Sequence, residues 1–366
     1  MKLNLRIEVI TILYRECRFR TALTMFKEVK PDIKNSEVFN ILGGISNSLY
    51  AYDVGNLQFY ILSGGCERLR TENYFDYFNI IHEKVQISDF LQGDKDFDRY
   101  FYILPLMATM LNTYEFANAD KSFLGCSFEM IYSYSKEENK LFFEPMDKEN
   151  GKFEWIYTTE LLKLNEYKND LIGDYVVYKV LKEDFISNRS INHYINMPLK
   201  NLVIDNLSNI LYDYKDYEKF PGVRGDIAYT NLIKHFSKLK EVVQSKGNYK
   251  NYNALLKYYK VQIIYLRNLI LSGTDTFYRG EFIDTLKDLN ATLVDFDGDK
   301  YIKDFEQSGK IWRNIGRLLM QLYIDITEEK VDKLLAYLKA LQKIEIKSFE
   351  NILDDLGYFS QKVSNI

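Results

Sequence analysis

The chain has 366 residues, 46% of them hydrophobic, which is long enough to bury a large core and to divide into two domains. Its 48 Lys and Arg nearly balance 52 Asp and Glu, and no basic block or stripe stands out that would track a phosphate backbone, so nucleic acid is not an expected partner. No stretch approaches the roughly 18 uncharged residues that span a bilayer, and Arg6, Glu8, Arg15 and Glu16 interrupt any signal-peptide core, so a cytoplasmic chain with no membrane segment is expected.

In chain order, the first strong element is a helix opening in the stretch from Tyr14 to Thr21, with Phe19, Ala22, Leu23, Phe26 and Val29 on one face and Pro31 as its stop. Cys17 falls at its start. Unpaired backbone N–H groups and the positive end of the peptide dipole favour a thiolate there, so Cys17 is the candidate nucleophile. A short helix from Asn35-Ser36 to Gly43-Gly44 follows, and then strands over 57–62 and 100–104, closed by Gly64-Gly65 and Pro105. A helix over 71–81 separates these two strands. Further strands are predicted over 128–134, 140–143 (ending at Glu144-Pro145), 153–157 and 175–180.

The polar segment 183–196 reads as a linker into Pro198. Beyond it the apolar period is helical throughout, over 199–212, 227–243, 252–271, 281–293, 311–326 and 331–344. The expected fold is α+β over 1–182, a linker over 183–196 and an all-α domain over 197–366.

Few residues compete with Cys17 for chemistry. Cys17, Cys66 and Cys126 are odd in number and widely spaced, with no C-x-x-C, and no two of His82, His193 and His235 lie three or four residues apart, so no metal or cofactor site is expected. His82 sits where a helix C-terminus would favour it, and His193 and His235 read as surface or boundary residues. Gly43-Gly44 and Gly64-Gly65 lack the continuation of a phosphate loop and read as turns. Asp295-Phe-Asp-Gly-Asp299 alternates like a calcium loop but places Lys300 where that loop needs glycine, so it reads as a solvated acidic turn.

Several stretches together resemble the butirosin-biosynthesis H-protein family. They are Cys17 with Thr21-Ala-Leu23, Ile41-Leu-Gly-Gly44, Phe59 to Gly65, Gly273 to Gly280 with its Thr-Phe-Tyr-Arg, and Ile311-Trp-Arg313. The resemblance implies a papain-like N-terminal domain joined to a helical C-terminal domain. It also implies transfer of an acyl group from an acyl carrier protein to a small-molecule amine acceptor. In the family one strand begins with a catalytic histidine and the next ends in Asp-Pro. Here the corresponding stretches read Cys126-Ser-Phe128 and Glu144-Pro145, so Glu144 can stand for the carboxylate but Ser127 has no basicity to replace the imidazole. Two expectations stand side by side: a Cys17-dependent acyltransferase-like protein, and a catalytically inactive homologue that binds a metabolite or a partner.

Overall fold

The computed structural model describes residues 17–54, 57–66, 68, 72–107, 126–143, 155–164, 176–212, 222–245, 252–270 and 276–359. In chain order the elements are α1 (Cys17–Val29), α2 (Asn35–Ile41), β1 (Ile45–Val54), β2 (Leu57–Gly65), α3 (Glu72–Tyr77), β3 (Glu83–Gln86), α4 (Ile87–Gln92), β4 (Tyr100–Met107), β5 (Cys126–Ser135), β6 (Lys140–Phe143), β7 (Trp155–Tyr157), α5 (Thr158–Leu164) and β8 (Val176–Leu181). The helical run follows: α6 (Lys182–Ile186), α7 (Arg189–Ile195), α8 (Leu199–Leu211), β9 (Gly222–Arg224), α9 (Gly225–Gln244), α10 (Tyr252–Ile270), α11 (Arg279–Thr292), α12 (Asp299–Ile324) and α13 (Glu328–Asp355). The chain is mixed α+β, with antiparallel sheets and a helical C-terminal region. No described helix is long and apolar enough to cross a membrane.

The chain forms two compact units, and their division differs from the contiguous one expected. Lys34–Glu67 groups with Met197–Ile366 in a helical unit, whereas Glu16–Ile33 and Arg68–Asn196 make up a sheet unit. The expected first domain, 1–182, is thus interrupted by a hairpin that folds with the C-terminal helices. The expected linker 183–196 is instead occupied by α6 and α7, because Asn188 caps α7 by accepting from the Ile191 N–H at 3.0 Å.

The sheet unit is built on a six-stranded antiparallel sheet of order β3-β8-β4-β5-β6-β7. On one face α1 packs against β5, and Phe26 meets Phe78 and Phe185 edge-on at 6.0 and 5.9 Å while Phe101 meets Phe185 at 5.8 Å. Pro105 does not end β4 as expected. It pairs opposite Phe128, beyond the point where β8 pairing stops at Ile103, so its missing donor is tolerated. The helix expected over 71–81 ends at Tyr77, where the chain turns through left-handed Asn79 at φ 50°.

In the helical unit, the β1–β2 hairpin pairs Leu49 with Leu62, and β9 adds on the far side of β1. Leu49, Leu62, Phe236, Ile263, Trp312, Leu319 and Leu338 share one buried core. The outer edge of β2 is closed by a side chain: buried Gln262 of α10 accepts from the Tyr60 N–H and donates to the Tyr60 carbonyl, both at 2.7 Å. Thr327 caps α13, where Val331, Leu334, Leu338, Leu341, Phe349 and Ile352 keep the apolar period inward.

Gly64-Gly65 ends β2 rather than forming a free turn. Thr276, Phe277 and Tyr278 are all left-handed, with φ of 77°, 60° and 65°, and a Cβ on Gly64 would lie 2.5 Å from the Phe277 ring. The strand needs glycine because this tight turn presses on it. Gly64→Ala is expected to destabilise the helical unit by about 1–3 kcal/mol, read as a lower urea midpoint with an unchanged slope.

Candidate functional site

The nucleophile expected from the sequence sits at the first residue of α1, and the chain before it lies outside the described residues. Ala22, Met25 and Phe26 bury the far side of this helix. The strand under it, β5, begins at Cys126 and Ser127, which pair with Met107 and Leu106 of β4. Neighbouring β6 ends at Phe143, so Glu144 is the next residue and lies outside the described residues. The side chains of Cys17, Cys126 and Ser127 are likewise outside the description. What is on view is the backbone frame: a helix headed by cysteine packed on a strand of an antiparallel sheet.

His82 and His235 have evident roles in packing, and His193 is exposed, as expected. His82 holds the Ile80 carbonyl through Nδ1 at 3.0 Å and lies 4.5 Å from the Phe75 ring, so contacts within the turn fix it rather than a helix terminus. His193 lies on α7, beside Tyr194 at 5.5 Å. His235 is not at the surface as expected but buried on α9, with Tyr60 at 4.6 Å and Tyr259 at 5.1 Å. Its Nε2 has no hydrogen-bond partner. Burial, and then the charge of Lys238, push its pKa down to about 4.

Other candidate chemistry resolves similarly. The Cys66 thiol is buried, and burial followed by the charge of Glu281 raises it well above its ordinary value, so it stays protonated. In the acidic turn the Gly298 N–H donates to Asn290 Oδ1 and the Asp299 N–H to Asp297 Oδ1, both at 3.2 Å. Among the described residues no three His, Cys, Asp or Glu side chains are grouped to hold a metal ion.

The densest polar constellation lies inside the helical unit, and the sequence only half announced it. Arg279 and Glu345 are both fully buried. Glu345 Oε1 accepts from Arg279 Nε at 2.8 Å, from Trp312 Nε1 at 3.1 Å and from Ser308. Its Oε2 accepts from Arg279 Nη2, Asn47 Nδ2 and the Tyr229 hydroxyl, each at 2.5 Å. Arg279 spends its remaining donors on Asn47 Oδ1 at 2.8 Å and the carbonyls of Gly64 and Phe277 at 3.3 and 2.5 Å. The Phe277 and Trp312 rings lie 5.0 and 5.5 Å from the guanidinium carbon.

Burial opposes ionisation of Glu345. The Arg279 charge, its hydrogen bonds, and those from Ser308 and Tyr229 outweigh it and hold the carboxyl below its ordinary value. Burial and the adjacent carboxylate push Tyr229 well up. This node gathers Gly64, the Phe277–Arg279 turn and Trp312, three of the stretches that carried the resemblance. Asn47 and Glu345 were missed. Glu345 was detectable, because it occupies an inward position of α13, four residues from both Leu341 and Phe349.

Two outcomes are expected. Arg279→Met should cost about 3–5 kcal/mol by stranding the Glu345 charge, and Arg279→Met with Glu345→Leu should restore much of it, as read by denaturant unfolding of the single and double variants. For His235 the folded pKa near 4 lies below the ordinary value of 6.5. Its contribution is therefore complete above pH 6.5 and falls away as the pH drops toward 4, by on the order of 3 kcal/mol. His235→Phe should flatten that acid limb in unfolding measured from pH 7 to pH 4.

Comparison of the chain with protein-family models gave no match, and comparison with curated proteins gave none either.

Proposed function

We propose that the chain is a papain-like acyl-transfer protein in which Cys17 takes an acyl group from a carrier-protein thioester and passes it to an amine. The observation that carries this reading is the packing of α1, headed by Cys17, on β5 of an antiparallel sheet. In a papain-like domain the nucleophile heads a helix and the strand beneath that helix brings in the base. The odd, widely spaced cysteines support a reducing, cytoplasmic setting.

The missing imidazole sets the substrate. The helix terminus and the neighbouring arginines in sequence, Arg18 and Arg20, favour the Cys17 thiolate. That thiolate attacks the thioester carbonyl, forms an S-acyl bond at Cys17 and expels the carrier thiolate, which takes up a proton from water. An amine then attacks the S-acyl carbonyl, regenerates the Cys17 thiolate and loses its proton to solvent or to Glu144. Thiolates leave without a general acid, whereas amides need one, so thioesters fit and peptides do not.

A second reading has its own support. The strand beneath α1 begins with Cys126-Ser127 rather than histidine, and of the three histidines His82 and His235 are held in aromatic packing while His193 is exposed on α7. On that reading the sheet unit binds a metabolite or an enzyme partner without turnover.

Intact-mass analysis with acyl N-acetylcysteamine thioesters separates the two. Acyl transfer predicts one acyl adduct per chain, absent in Cys17→Ala and released by hydroxylamine. Absence of the adduct, together with slow alkylation of Cys17 at neutral pH, would overturn acyl transfer and favour the inactive homologue, to be followed by ligand and partner capture.

A further inference from the structure

We infer that the outer face of the α12–α13 pair is a docking surface for an acidic amphipathic helix of a partner protein, independently of any chemistry at Cys17. Between Gln307 and Ile324, α12 carries Lys310, Arg313 and Arg317 and no acidic residue. Between Lys333 and Phe349, α13 carries four lysines, and its one acid, Glu345, is buried against Arg279. Lys310, Arg317, Lys333, Lys339, Lys343 and Lys347 are all exposed, and none forms an ion pair with a described residue.

Their arrangement is concentrated. Lys339, Lys343 and Lys347 recur every fourth residue and stand in one column. Ser308 and Trp312 both bond Glu345, which brings the intervening Lys310 level with Lys343 and Lys347. Like charges at this spacing weaken a helix unless something neutralises them, and in a chain of net charge −4 the concentration is local. In sequence the basic residues are spread thinly over two helices, and only the helical period brings them onto one face.

The ends of the face limit what can occupy it. Asp304, Glu350 and Asp354 close one end, and Asp325 and Asp332, which pair with Lys330 and Lys240, close the other. The basic stretch from Lys333 to Lys347 spans about 21 Å at 1.5 Å per residue. A nucleic-acid strand running past either end would meet carboxylates, whereas a short acidic helix would fit inside. Between the columns, Ala336, Ala340 and Ile344 form a small apolar seam, and a groove of about 680 Å³ opens beside Ala340 and Ile344, flanked by Lys343 and Lys347 and running on to Lys300, Asp304, Asp354 and Asp355 at the closed end. Lysines flanking an apolar seam match a helix with glutamates beside a leucine ridge.

The test uses fluorescence anisotropy of the full chain with a labelled 20-residue amphipathic peptide carrying glutamates every fourth residue beside a leucine ridge. A glutamine-for-glutamate version and a 24-base-pair DNA duplex serve as comparisons. The wild-type chain should bind the acidic peptide at least ten-fold more tightly than either, and more weakly as salt rises. Lys339→Glu with Lys343→Glu and Lys347→Glu should lose at least ten-fold, and the matching Lys→Gln triple should lose less, each with an unchanged melting temperature. No binding by the wild-type chain, equal binding by the triple variants, or tighter binding of the duplex would each overturn the proposal.

Discussion

The Arg279–Glu345 pair is the constraint on which the helical unit depends. Two opposite charges removed wholly from water are tolerable only when every donor and lone pair finds a partner, and here they do: five donors of Arg279 are matched by Glu345, Asn47 and two carbonyls. Because the partners of the pair come from β1, the end of β2, α9, the turn before α11, and helices α12 and α13, the pair forces six pieces of chain into one arrangement. An apolar substitute of similar volume would fill the space without dictating which strand and which turn belong there. The pair thus selects an arrangement as much as it stabilises one.

That selection explains the discontinuity of the unit. The hairpin of β1 and β2 is separated in sequence from the C-terminal helices by Arg68–Asn196 of the sheet unit, yet Asn47 and Gly64 find polar partners at Arg279 and Glu345. The strained turn at Thr276, Phe277 and Tyr278 belongs to the same logic. Its left-handed residues are held because Arg279 binds the Phe277 carbonyl on one side and Gly64 leaves room on the other.

Much of this was visible in the residues. The helical period located α8 to α11 within two residues, since their inward positions are mostly Leu, Ile and Phe at regular spacing, but it left out the first twelve residues of α12 and the last eleven of α13, and α1 showed itself through Ala22 and Phe26. What escaped notice had causes far away in the chain. After Ile45, strand β1 continues with Ser46, Asn47 and Ser48, a polar run that resembles a loop, and it is buried because Arg279 and Glu345, more than two hundred residues later, satisfy Asn47. His235 looked like a boundary residue because nothing local reveals that Tyr60 and Tyr259 will enclose it. The frame around Cys17 was legible as a helix over a hairpin. The identity of a base was not, because the strand that should begin with one begins with Cys126-Ser127.

The bond between Gln262 and Tyr60 has a consequence for how the chain is made. Tyr60 and Gln262 are 202 residues apart, so at roughly 5–20 residues per second a ribosome takes about 10–40 s to deliver the side chain that closes the edge of β2. For that interval the hairpin leaves the tunnel with an open strand edge, the kind of surface that pairs with neighbouring nascent chains. Slow, crowded translation therefore exposes this protein at one identifiable place. Faster synthesis, or a chaperone that covers β2 until α10 emerges, would decide how much of it reaches the folded state.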